Sequence, residues 1–243
     1  MWETMIAHFY AFSETQDVEE LHRLRVEIKK IFALTVLLDF STRTSQLSIS
    51  LKPLKTIFTK AGEIRNIQLT LQTIMWYTGK KSSLCELQQT RLANLIKTFC
   101  SKMALYVKNF KKVHTLVVEK IYDIKNNCVL DWYEDEFKKL SQFFIKKCDH
   151  KNMHKGRKTL KKLLYVYAIL QKPLQKKLNL NRHYLRELEE IIGKWHDVVI
   201  SLEILSNVVL SENEIIKKLS ERKAKFLKSC RILSKLFPDK CYK

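Results

Sequence analysis

Apolar residues recur at intervals of three and four along nearly the whole chain. Leu21, Leu24, Ile28, Ile31 and Phe32 form one such series, and Leu160, Leu163, Leu164 and Tyr167 form another. That spacing gathers the apolar groups on one side of an α-helix, the pattern of a helix packed through a single face. Leu185, Leu188, Ile192, Trp195, Val199 and Leu202 carry the pattern over about five turns, a length typical of helical bundles. It breaks near Thr42 to Ser50, Thr78 to Ser83, Lys125 to Asp131, Asp149 to Asn152, Lys172 to Asn181 and Leu210 to Asn213. Roughly seven or eight helices are therefore predicted. The longest apolar run, "IFALTVLL", is interrupted by Thr35 and is far too short to span a bilayer, so no membrane insertion is expected.

Composition narrows the fold class further. The 243 residues suffice for one large domain or two of about 120. Only 4 Gly and 3 Pro are present, too few for the many turns of an all-β or βαβ chain, so an all-α protein is predicted. Six cysteines, at 85, 100, 128, 148, 230 and 241, form no C-x-x-C pair and no zinc-type spacing. They read as reduced thiols of a cytoplasmic protein, in keeping with a start that has no cationic n-region and no small-residue cleavage site.

Charge raises the question of a partner. Lys and Arg number 45 against 25 Asp and Glu, a formal excess of +20. Such a self-repelling surface is most economically explained by an anionic partner, and nucleic acid, an anionic membrane face and a polymeric phosphate all qualify.

The charge is patterned. "LHRLRVEIKKIFA", residues 21–33, and "MHKGRKTLKKLLY", residues 153–165, share the order His, two residues, Arg, three residues, Lys-Lys. His22, Arg25, Lys29 and Lys30 thus correspond to His154, Arg157, Lys161 and Lys162 at an offset of 132. A second pair, "AGEIRNIQLTLQTI" (61–74) and "IGKWHDVVISLEIL" (192–205), aligns Gly62 with Gly193, Arg65 with His196 and Asn66 with Asp197 at an offset of 131. Two motifs at nearly one offset indicate a duplicated unit, with similar helical halves at about 1–125 and 126–243 and a shortened last helix in the second.

On a helix, positions 22, 25 and 29 lie within about 60° of one another, as do 154, 157 and 161. Each trio is a narrow stripe bordering the apolar face, where a charge-assisted hydrogen bond is stronger than in open water. Arg offers a planar fork to phosphate oxygens, Lys a mobile point charge, and His a donor that a nearby anion can protonate. Neither trio contains an acidic residue. Lys158 lies within the second string, while Lys30 and Lys162 sit farther round. Gly62 and Gly193 interrupt helical patterns at a cost of about 1 kcal/mol against Ala, either to bring the basic stripe close to Arg65 or His196 or to relieve packing. Asp197 either orients Arg157 or His154 or is an ordinary surface acid. Lys108, Lys111, Lys225 and Lys228, in further Lys-rich helical stretches, are secondary candidates, and Lys81 and Lys240 lie outside the motifs.

These strings resemble the CHAD domain family, the conserved histidine α-helical domains. In each half the family carries His-x-x-Arg-x-x-x-Lys/Arg-Lys/Arg followed by Gly-x-x-Arg-Asp or Gly-x-x-His-Asp. Here they read "HRLRVEIKK" then "GEIRN", and "HKGRKTLKK" then "GKWHD". The resemblance covers essentially the whole chain as a single CHAD domain. It implies two four-helix bundles of long antiparallel helices related by a pseudo-twofold, with basic side chains lining a central groove. That groove would bind inorganic polyphosphate without catalysis, and sulfate or phosphate ions could occupy it. A cytoplasmic place, in association with polyphosphate granules, is implied as well. Phe32 and Leu164 stand where the family often has a further basic residue, and Asn66 stands in place of its Asp.

Other function classes find less support. A phosphohydrolase usually needs clustered carboxylates for metal ions, whereas the acids here are scattered and those of "WYEDEF" (132–137) point in different directions on a helix. A metal site at His22, His154 and His196 would be surrounded by cations, so neither metal nor cofactor is expected. A nucleic-acid binder is the main alternative, although aromatics interleaved with the stripes are absent apart from Tyr165.

Overall fold

The computed structural model describes residues 1–78, 83–120, 124–146, 150–206 and 213–243. The fold is all-α, with no β-strand among the described residues and one isolated antiparallel bridge, Leu180 with Tyr242. The helices are α1 (Trp2–Thr15), α2 (Val18–Thr42), α3 (Gln46–Ser50), α4 (Lys52–Thr78), α5 (Ser83–Cys100) and α6 (Met103–Val118). They continue with α7 (Asn126–Lys146), α8 (His150–Ile169), α9 (Lys172–Leu178), α10 (Arg182–Ser206), α11 (Asn213–Lys235) and α12 (Phe237–Lys240). Chain contacts divide them into two compact units, Met1–Asp123 and Ile124–Lys243.

The helices outnumber the seven or eight predicted because some of the expected breaks are themselves helical. α3 lies inside the break at 42–50. The Asp39 carboxylate, eight residues upstream of Leu47, accepts the backbone N–H of Leu47 and of Ser48, each at 3.0 Å. This cap at the start of the helix cannot be seen in hydrophobic periodicity. α9 fills the break at 172–181, where Pro173 sits in the first turn and so favours the start of a helix rather than ending one. The bend at Ser101 and Lys102 that separates α5 from α6 carries neither Gly nor Pro and gives no sequence signal. α7 starts at Asn126 and α8 at His150, so most of those two predicted breaks is helical, and Lys81 and Cys148 lie outside the described residues.

In the first unit α2 packs on α1, α3 and α4, and α4 packs on α5 and α6. Asp17 caps α2 by accepting the N–H of Glu19 at 2.9 Å, and Leu21, Leu24, Ile28 and Ile31 are fully buried. Phe9 and Phe12 of α1 meet Phe99, Tyr106 and Phe110 with ring centroids 4.9–6.4 Å apart, mostly edge to face. In the second unit α8 packs on α7 and α10, and α11 packs on both α10 and α7. The Tyr133 hydroxyl, deep in that core, donates to the Leu163 carbonyl at 2.8 Å and ties α7 to α8. The predicted stripe of α10 is buried from Leu185 to Val199. Among the described residues no helix is long and apolar enough to cross a membrane.

The α7–α8 crossing depends on Gly156. A Cβ there would stand 2.6 Å from Cε1 of Phe144, whose buried ring is held edge-on against Phe237. Gly156→Val is expected to destabilise the protein by about 2 kcal/mol, the usual scale of overpacking. Urea denaturation would check this, and unchanged stability would show that the ring can move aside.

Candidate functional site

α2 and α8 are each packed on two long neighbours, so a stripe at the edge of their apolar face is drawn partly out of water. His22, Arg25 and Lys29 on α2, and His154, Arg157 and Lys161 on α8, are all half-buried.

Within the first unit Arg25 reaches across to α4. Its Nη1 donates to the Phe58 carbonyl, its guanidinium carbon lies 4.1 Å from the centre of the Phe58 ring, and the group presses against Gly62. A Cβ at position 62 would collide with Nη1, so glycine is required for the approach. Among the described residues no carboxylate pairs with Arg25. Burial, and then the charge of Arg65, lower its pKa to about 10, and it remains a cation at neutral pH. Arg65 itself donates to Gln68 Oε1 at 2.6 Å and to Glu19 Oε2 at 3.1 Å. His22 faces the same cations. Burial first, then Arg65, push its pKa down to about 4, with Lys29 and Arg25 adding to the effect and Glu19 opposing it. Lys29 lies 5.8 Å from the Phe58 ring centre, and Lys30 pairs with the buried Glu27 at 2.5 Å.

The second unit repeats the framework with different chemistry. Arg157 Nη2 would stand 3.5 Å from a Cβ at Gly193, an ordinary contact, so the crossing is looser than at Gly62. Arg157 Nε is 3.8 Å from Glu189 Oε1, and Lys161 Nζ is 2.9 Å from the same oxygen. His154 and His196 lie with ring centroids 4.6 Å apart. Lys162 pairs with Glu136 and stands 5.7 Å from the Trp132 ring centre.

Each first motif is therefore brought against the second motif of its own unit: His22 and Arg25 against Gly62 and Arg65, His154 and Arg157 against Gly193 and His196. Lys158, Lys108, Lys111, Lys225 and Lys228 are exposed, and no ion pair or cation–π contact among the described residues involves them. The trios contain no acid, yet the fold brings carboxylates to Arg65, Lys30, Arg157, Lys161 and Lys162. Glu19 and Glu136 arrive from other helices with no sequence signal, whereas Glu27 could have been read from its i, i+3 relation to Lys30. Phe58 and Glu189 were also missed, though each lies one turn before its motif glycine. Among the described residues no group of three or more His, Cys, Asp or Glu could hold a metal ion.

A sequence model of the CHAD domain matches residues 2–206. The chain belongs to the CHAD domain family. The crystal structure of the CHAD domain from the plant Ricinus communis is similar, with a TM-score of 0.68 and 14% identity, over 96% of this chain and 87% of that one. At that identity the likeness carries the fold alone. A search of curated proteins finds no match. In this CHAD domain α11 lies beyond the matched residues, yet it packs on α10 and α7 of the second unit.

The depressed His22 sets a pH dependence. The unfolded chain takes up this proton near the ordinary value of 6.5 and the folded one near 4, so between those values the unfolded state binds more protons. The stability due to the neutral imidazole is thus lost as pH falls through that window. His22→Asn should show a smaller loss of stability between pH 7 and pH 4.5 than the wild type, read from urea midpoints; equal losses would show that His22 titrates normally.

Proposed function

We propose that this CHAD domain binds inorganic polyphosphate, or a similar phosphate-rich polyanion, through the basic stripes of α2 and α8, and that it does so without catalysis. The observation that carries the reading is a guanidinium laid against a helical glycine in each unit, Arg25 on Gly62 and Arg157 on Gly193. An interior glycine costs about 1 kcal/mol of helix stability. Drawing Arg25 out of water beside the like charge of Arg65 costs more. An arrangement that works against folding twice over is explained by an anion that recovers the loss on binding. Phosphate suits the donors, since two of its oxygens match the guanidinium fork.

A polymer suits the charge better than a single ion. With +20 in excess, each cation engaged along a polyanion releases condensed counterions, and affinity gains with every contact. Membership of the family implies polyphosphate. Base stacking finds no support at Phe58, because the Arg25 guanidinium lies over its ring and Phe32 stands edge-on at 5.6 Å.

The test compares two double variants by calorimetry with polyphosphate of defined length at fixed salt. Arg25→Ala with Arg157→Ala should weaken binding by more than about tenfold while the helical melting transition persists. Lys102→Ala with Lys240→Ala removes the same charge from exposed positions and should change affinity by less than about threefold. Equal losses would leave only a diffuse positive surface. Duplex DNA that displaced polyphosphate at matched salt would favour the nucleic-acid reading, and phosphate release over long incubation with Mg²⁺ would make the protein an enzyme.

Gly62→Ala gives a finer check. Alanine adds about 1 kcal/mol of helix propensity and drives the Arg25 guanidinium aside, so stability should hold while polyphosphate affinity drops several-fold. Gly193→Ala, with ordinary contacts, should leave affinity nearly unchanged.

A further inference from the structure

The two stripes rest on different floors. Phe58 and Glu189 occupy matching places, each four residues before its motif glycine and both facing the stripe of the neighbouring helix. In the first unit the matching residue is aromatic, and Arg25 lies on its ring. In the second it is a carboxylate that reaches Lys161 at 2.9 Å and Arg157 at 3.8 Å through one oxygen. The three side chains are only 17–24% exposed, so these charges meet in a partly dry setting.

We propose that Glu189 is a resident anion of the second unit: its carboxylate holds the place on Arg157 and Lys161 that a phosphate group would take. This rests on the polyanion reading above and assigns a competitor to it. A carboxylate and a phosphate cannot both occupy the same two cations without strong mutual repulsion, so an incoming phosphate must first displace Glu189. Glu189 reaches the surface enough to swing into water, which makes the exchange a competition instead of a permanent block. Among the described residues no carboxylate pairs with Arg25 as Glu189 does with Arg157. The α2 stripe is therefore the stronger of the two, and the affinity of the α8 stripe is held down from within.

Calorimetry of the full chain with polyphosphate of defined length, and separately with inorganic phosphate, tests the proposal. Glu189→Gln keeps the shape and removes the charge, and it should tighten polyphosphate binding by about tenfold and steepen the salt dependence. Glu190→Gln removes the same charge one position along, from an exposed carboxylate paired with Lys194 at 2.6 Å, and should stay within about twofold of wild type. Glu189→Ala should follow Glu189→Gln, and Phe58→Glu should weaken binding by placing a carboxylate beneath Arg25. Equal effects of the changes at 189 and 190 would overturn the proposal and leave net charge alone. Weaker binding by Glu189→Gln would also overturn it and make Glu189 a positioning residue for Arg157. Tight wild-type binding unaltered at 189 would sink the competitor and spare the polyanion reading. Binding gained only in Glu189→Gln would support the competitor while the polyanion reading fails for the native chain, and no binding by any form would overturn both.

Discussion

A guanidinium leaves water at a cost that grows unless its donors find acceptors, and Arg25 finds one main-chain carbonyl and the face of a phenyl ring. Much of the first unit's local design follows from that constraint. α4 must present a residue with no side chain at position 62, because any Cβ would push the group away. Arg65, one turn beyond the glycine along α4, must be held by Gln68 and Glu19 so that two like charges can stay close. His22, on the same side of α2, gives up its proton because it is partly buried and surrounded by these cations. A row of bases at the edge of a packed helix thus dictates the residues of its neighbour.

Much of this framework was legible in the sequence because it depends on spacing. The stripes of apolar residues gave the long helices, and the recurrence of His-x-x-Arg with Lys-Lys pointed to the two helices that carry the candidate site. Gly62 and Gly193 were legible as anomalies inside helical patterns, with two explanations open; the contact with Arg25 favours close approach at the first, while the ordinary distance at the second leaves that glycine less constrained. What could not be read were the partners that tertiary packing supplies. Glu19 lies 46 residues from Arg65, and Glu136 reaches Lys162 from another helix; no periodicity links such pairs. The short helices α3 and α9 were hidden because one depends on a cap from Asp39 and the other on a proline that opens a turn instead of closing one.

The two motif strings, alike in sequence, meet different surroundings. The cationic donors have been kept in both strings, while the groups beneath them differ: a ring under Arg25, a carboxylate beside Arg157, and a histidine pair where the first unit has His22 facing Arg65. Changing the floor alters the strength of a cation without touching the cation. Such changes leave the motif intact, so chains that share it need not share its electrostatics.

The neutral His22 has a consequence for any ligand of the α2 stripe. Its pKa is low because it is partly buried and because the charges nearest it are positive, and an anion settling on Arg25 would offset those charges. The imidazole would then move back towards its ordinary value, so that between pH 4 and 6.5 binding is accompanied by proton uptake and strengthens as the solution becomes more acidic. The heat of such a reaction depends on the buffer that surrenders the proton. If the α2 stripe takes up an anion as proposed, its fixed cations and one titratable neighbour would make it exchange hydrogen ions with its surroundings each time that anion arrived or left.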